Sequence, residues 1–207
     1  MRAAARLPLE HGLRLRHYGR AHVPARGAAL LVANHPTYLD PWLVAYGVRR
    51  WVTWMAWEEA FSWPVIGWLV RSMGAFPVNT DRPAPSSYKA ALEVLAQGRL
   101  LGIFFEGGRT RENEFGVDPP RAGAARLALR AGVPVVPVSI AGARRAWPLH
   151  RRLPRPGRVC VYFHPPIDPR QVEGRHARER EARLNDQLLR TIAAALPPDG
   201  RHRPRRR

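Results

Sequence analysis

The stretch Val32-Ala33-Asn34-His35-Pro36-Thr37-Tyr38-Leu39-Asp40 decides how the rest of the chain is read. The apolar run over residues 28–33 has the character of a buried strand, bounded by Gly27 before it and a polar pair after it. This run delivers His35 to its polar exit. Asp40 follows five residues later, where Pro41 marks the first turn of a helix that Asp40 is expected to cap and Gly47 to end. A histidine that only packs belongs inside an apolar stripe. One at a strand exit, with an acid one helical turn away, has a partner that fixes its tautomer and leaves the other ring nitrogen to move a proton.

The segments that follow repeat the alternation of apolar strand and helix. Residues 51–56 are aromatic and β-branched and predict a second strand, 74–78 a short one, 100–105 a near-continuous apolar one, 133–140 another, and 159–164 the last. Pro134 and Pro137 lie inside the 133–140 run, which argues for an edge or irregular strand. Helices are predicted over 88–96, capped by Ser86 or Ser87, over 123–131, closed by Gly132, and over 176–196, where Leu184, Leu188, Ile192 and Leu196 form one stripe. Strands apolar on both faces and separated by helices predict an α/β fold: a single domain with a mostly parallel central sheet flanked by helices on both faces. Leu13, Leu15 and Tyr18 suit part of an edge strand within a short basic segment, residues 1–27. The domain proper is expected over 28–196, with an arginine- and proline-rich tail, 197–207, expected to be disordered.

Composition narrows the possible functions. The 207 residues suit one domain, and 45% hydrophobic content is that of a globular chain. A single cysteine, Cys160, excludes an intramolecular disulfide and a multi-cysteine zinc site. No metal is expected, because the eight histidines form no ligand-spaced set. The net charge of +18 comes almost wholly from arginine, Lys89 being the only lysine, and favours polyanionic partners. No stretch has the length of a spanning helix. Phe61, Trp63, Ile66 and Trp68 crowd a short span followed by Arg71, with two readings: a helix packed on the core, or an exposed apolar patch for an anionic membrane or an acyl chain.

Three polar clusters follow apolar strands: Asn34-His35 with Asp40, residues 79–82, and residues 106–111. In an open α/β sheet the carboxyl ends of the strands share one rim where ligands bind, so the clusters are expected to meet. No serine stands in a nucleophile-elbow pattern, and Cys160 lies within an apolar strand. The nucleophile is then a hydroxyl of the substrate, deprotonated by His35. Arg82 and Arg109 suit a phosphate through their planar donor forks, and Gly107-Gly108 allow close backbone approach.

The segment Asn34-His35-Pro36-Thr37-Tyr38-Leu39-Asp40 resembles the NHxxxxD motif of the glycerophospholipid acyltransferases, the lysophosphatidic acid acyltransferase (PlsC-like) family. Phe105-Glu106-Gly107-Gly108-Arg109-Thr110 is similar to the family's proline-glutamate-glycine-threonine-arginine block, with Phe105 and Gly108 at its proline and threonine positions. Gly74-Ala75-Phe76-Pro77-Val78 with Arg82 resembles the second block, with a longer spacer, and Val133-Pro134-Val135-Val136-Pro137-Val138 the fourth. The resemblance covers residues 12–170 and implies a glycerol-3-phosphate acyltransferase-like fold. It also implies that His35 is catalytic with Asp40 as partner, and that Arg82, Arg109, Glu106, Gly107 and Gly108 form the phosphate site. Acyl-CoA or acyl-carrier protein would be co-substrate, with no bound cofactor. The partners implied are an anionic membrane surface and a lysophospholipid, with no nucleic acid, and the location is the cytoplasmic face of the cell membrane, peripherally, alongside a soluble pool. The competing expectations are a relative acting on another hydroxyl or amine, a hydrolase, and a non-enzymatic binder of anionic membrane or nucleic acid.

Overall fold

Residues 29–33 run through the middle of the sheet, all five buried and paired on one side, and residues 30–33 paired on the other as well. The structure, a computed structural model, describes residues 12–79, 84–108, 117–148, 151, 153 and 155–196. Its strands are β1 (Arg16–Tyr18), β2 (Ala29–Ala33), β3 (Val52–Trp57), β4 (Phe76–Val78), β5 (Leu100–Phe104), β6 (Val135–Ala141) and β7 (Cys160–Phe163). They form one sheet in the order β1-β7-β6-β2-β5-β3-β4. Every pairing is parallel except β6 with β7. The edge strand drawn from the basic N-terminal segment is β1, beside β7.

Alternation along β2 separates two cores. Leu30 and Val32 join Leu101 and Val135 under α3 (Pro85–Ala96), α4 (Gly123–Ala131) and α6 (Ala177–Ala193). Leu31 and Ala33 face the other way, against Leu43 and Val44 of α1 (Asp40–Gly47), Trp54 and Val136. Helices thus cover both faces, as the apolar strand pattern requires. In α6, Leu184, Leu188 and Ile192 are fully buried, and each such side chain contributes roughly 1.5–3 kcal/mol by leaving water. Two further helices are α2 (Pro64–Ser72) and the short α5 (Ala143–Ala146).

Three local expectations are corrected. The 133–140 run is no edge: β6 lies between β2 and β7. Pro137 is tolerated because the antiparallel partner ladder ends at Phe163 and resumes only in the Val135–Ile167 bridge. The carbonyl of Pro137 still accepts from His164 N at 2.9 Å. Neither Ser86 nor Ser87 caps α3, which begins at Pro85, a residue preset for the first turn, and Ser87 donates instead to the Pro77 carbonyl. Asp40 does not cap α1 either; it is the first helical residue, with its carboxylate turned back on the preceding loop. The expected tail, 197–207, lies outside the described residues.

Candidate active site

Sheet register builds the site. The pairing of Ala33 with Phe104 makes β2 and β5 end side by side, so His35 and Glu106, each two residues beyond that pair, emerge together. His35 N donates to Glu106 Oε1 at 2.8 Å, and the other oxygen, Oε2, accepts from Asp118 N at 2.9 Å. One buried carboxylate therefore ties the loop after β2 to the chain before α4. On the other flank, Asn34 donates from Nδ2 to the Ile140 carbonyl at 3.1 Å and accepts at Oδ1 from Ile140 N at 2.8 Å. Its amide behaves as an additional peptide unit between β2 and β6.

His35 Nδ1 lies 2.7 Å from Asp40 Oδ2, and Asp40 is completely buried. The same oxygen accepts from Thr37 N at 2.7 Å, while Oδ1 accepts from Thr37 Oγ1 at 2.7 Å. The contact orients Nδ1 toward the carboxylate and leaves Nε2 as the ring nitrogen not engaged by Asp40. The imidazole stacks on Phe104, ring centroids 3.9 Å apart and 12° from coplanar, and Phe104 stacks on Trp54 at 5.0 Å. Room for Trp54 comes from its strand partner Gly102, where a Cβ would lie 2.5 Å from the indole.

His35 lines a cavity of about 580 Å³. Trp54, Ile66, Val70, Ile103 and Leu127 make it mainly apolar, while Glu106, Gly107, Gly108, Asp118 and Arg121 make one polar wall. Tyr88 also borders it; burial raises its phenol above the ordinary value, so the side chain stays a neutral hydroxyl at physiological pH. An apolar chamber with a base on its wall and a charged side is suited to a substrate with a long hydrocarbon part and a polar head.

The sequence-predicted residues fare differently. His35, Asp40, Glu106, Gly107 and Gly108 are brought together around this wall. Arg82 and Arg109 lie outside the described residues. Asn79, from the second cluster, bonds Glu58. The two readings of the aromatic span divide along α2: Ile66 and Val70 face the cavity, whereas Val65 and Trp68 are 69% and 59% exposed. Trp63 packs edge-on against Tyr38 and Trp57, and Phe61 carries the Arg71 guanidinium over its ring. Thr37, Phe104, Asp118 and Arg121 were missed. Thr37 alone had a local signal, a hydroxyl three residues before Asp40.

A histidine held 2.7 Å from a buried aspartate thus stands on the wall of a mainly apolar cavity at the carboxyl end of an α/β sheet. The acyltransferase family model matches residues 14–141, and the chain belongs to that family. It is 26% identical over 187 residues to the 1-acyl-sn-glycerol-3-phosphate acyltransferase of Bacillus subtilis, covering 90% of this chain and 89% of that one. Identity to the Streptococcus pneumoniae protein of the same description is 30% over 165 residues, covering 79% of this chain and 56% of that one. The crystal structure of the 1-acyl-sn-glycerophosphate (LPA) acyltransferase PlsC from Thermotoga maritima superposes with a TM-score of 0.74 at 25% identity, over 94% of this chain and 74% of that one.

Proposed function

We propose that this acyltransferase moves a fatty acyl group from a thioester, acyl-CoA or acyl-carrier protein, to the free hydroxyl of lysophosphatidic acid or a related lysophospholipid. The observation that carries the reading is the 2.7 Å contact of His35 Nδ1 with buried Asp40, on the wall of an apolar cavity. The descriptions of the Bacillus subtilis and Streptococcus pneumoniae relatives supply the acceptor class. As the acceptor oxygen attacks the thioester carbonyl, its proton passes to His35 Nε2. The tetrahedral intermediate collapses, the carbon–sulfur bond breaks, and the imidazolium returns the proton to the departing thiolate. Asp40 stabilises that transient cation without taking its proton. Glu106 braces the His35 backbone, and Arg109 and Arg82 are assigned to the acceptor phosphate on motif position alone.

Among the described residues no helix is long and apolar enough to cross a membrane. The exposed Val65 and Trp68, with the arginine-rich charge, support peripheral attachment to an anionic bilayer on its cytoplasmic side. Free thiol measured with acyl-CoA, with and without lysophosphatidic acid, tests the function. Release that requires acceptor supports transfer; release without it makes the protein a hydrolase, and no release with any thioester donor leaves it a binder.

A further inference from the structure

We infer that Arg121 engages the phosphate of the acyl acceptor, an assignment that rests on the transferase reading above. Among the described residues lining the cavity that holds His35, Arg121 is the one arginine or lysine. Its backbone is pinned at the end of β5, Arg121 N donating to the Phe105 carbonyl at 2.8 Å. Its side chain crosses Gly107, whose φ is +70°. A Cβ at Gly107 would stand 2.4 Å from Arg121 Cδ and 2.6 Å from Nε, well inside van der Waals contact. The same test at Gly108 meets nothing within 4 Å. The two glycines therefore do different things: Gly107 makes room for an arginine side chain, and Gly108 leaves the wall open beside it.

This placement links the cation to the base through two covalent neighbours. Glu106, which receives the His35 backbone N–H, directly precedes Gly107, over which Arg121 lies. A phosphate monoester carries between one and two negative charges at neutral pH and offers three terminal oxygens, two of which the planar donor fork of a guanidinium can engage at once. Walls of tryptophan, isoleucine, valine and leucine lower the screening around the cavity and strengthen such a pairing, in which Arg121 would join the arginines assigned to the phosphate by motif position. The acceptor's headgroup then lies on the Arg121 wall and its hydrocarbon along the apolar ones, presenting the glycerol hydroxyl to His35.

Steady-state kinetics with each substrate varied in turn tests the assignment, after the parent protein has been shown to release thiol only with acceptor. Arg121→Gln should raise acceptor KM roughly 10- to 10²-fold, the scale of one charge-assisted contact, with donor KM and the circular dichroism spectrum unchanged. Arg121→Lys should recover part of the loss. Gly107→Ala, which drives a methyl into the path of the side chain, should also raise acceptor KM, and should add little in the Arg121→Gln background. Preference for lysophosphatidic acid over monoacylglycerol should shrink in Arg121→Gln. An unchanged acceptor KM in that variant overturns the inference. A rise confined to donor KM overturns it too, and moves Arg121 to a coenzyme A phosphate. A parent protein without acceptor-dependent release overturns the transferase reading, a failure seen before any variant is compared.

Discussion

Asp40 receives three donors from two residues, and this fixes the direction in which His35 is held. Thr37→Val keeps the side-chain shape and removes the hydroxyl donor to Oδ1. A hydrogen bond to a buried charge stabilises by about 1.5–3 kcal/mol, so kcat should fall by roughly 10- to 10²-fold while both KM values hold. Thr37→Ser should restore it, and the same change in an Asp40→Asn background should cost little. Equal losses in both backgrounds would make Thr37 a packing residue only. His35→Ala should lower the rate by about 10²-fold or more with an unaltered circular dichroism spectrum, the scale of a lost general base. At this scale the sequence was partly legible. The five-residue step from His35 to Asp40 is local and visible, but Phe104 under the imidazole follows from β2–β5 register, and Arg121 over Gly107 from the bond of its backbone N–H to the Phe105 carbonyl. No spacing encodes either.

Elements were legible where their ends carry local chemistry. Gly123–Ala131 forms the predicted helix, closed by Gly132, because an apolar stripe and a terminal glycine are sequence-local signals. Pro137 misled because its tolerance depends on where another strand stops. In β7, burial pushes the Cys160 thiol above its usual value, and desolvation does the same, more strongly, for Tyr162. Both are therefore protonated in the folded protein at pH values where the unfolded chain has begun to lose those protons. The folded state binds more protons there, so stability should decline as pH rises through the unfolded thiol's value, about 8.5, and onward through the phenol's, about 10. Thermal melts between pH 7 and 11 read that slope, and Cys160→Ala should flatten its first part. Alkylation of Cys160 at neutral pH should likewise require denaturant. In α6, Leu188→Ala removes a fully buried side chain and should cost about 2–5 kcal/mol in urea unfolding, since packed helices and sheet relax little around the gap.

Across the whole molecule, a charge of +18 coexists with a short helix that is apolar on its cavity side and on its outer side. The outer residues, Val65 and Trp68, are the side chains that the proposed peripheral attachment would place at the boundary between headgroups and acyl chains. Anionic vesicles should therefore co-sediment the protein at low ionic strength and release part of it as salt rises, because only the charge contribution is screened. The double change Val65→Ser, Trp68→Ser should weaken binding at every salt concentration, and neutral vesicles should bind less than anionic ones. Binding that resists salt and is reversed only by detergent would contradict surface attachment. The overall charge and the aromatic crowding were both plain in the sequence. Their arrangement was not, because the division of α2 into an inner and an outer face depends on which side meets the cavity.

The amide of Asn34, interposed between β2 and β6 as though it were a length of backbone, carries a consequence for the chemical ageing of the protein. Nδ2 faces the Ile140 carbonyl, so this atom must remain a donor for as long as the sheet exit keeps its shape. Hydrolysis of that one amide would leave a carboxylate oxygen against a carbonyl oxygen at a buried side chain. Asn34→Asp imitates the aged molecule and should lose about 1–3 kcal/mol of stability, with activity falling alongside because His35 is the next residue. On prolonged storage, the fraction of inactive enzyme should follow the gain of one negative charge, read by isoelectric focusing together with peptide mapping of residues 28–40. Durability of the catalyst then depends on how tightly two hydrogen bonds hold a neutral amide that does not line the cavity.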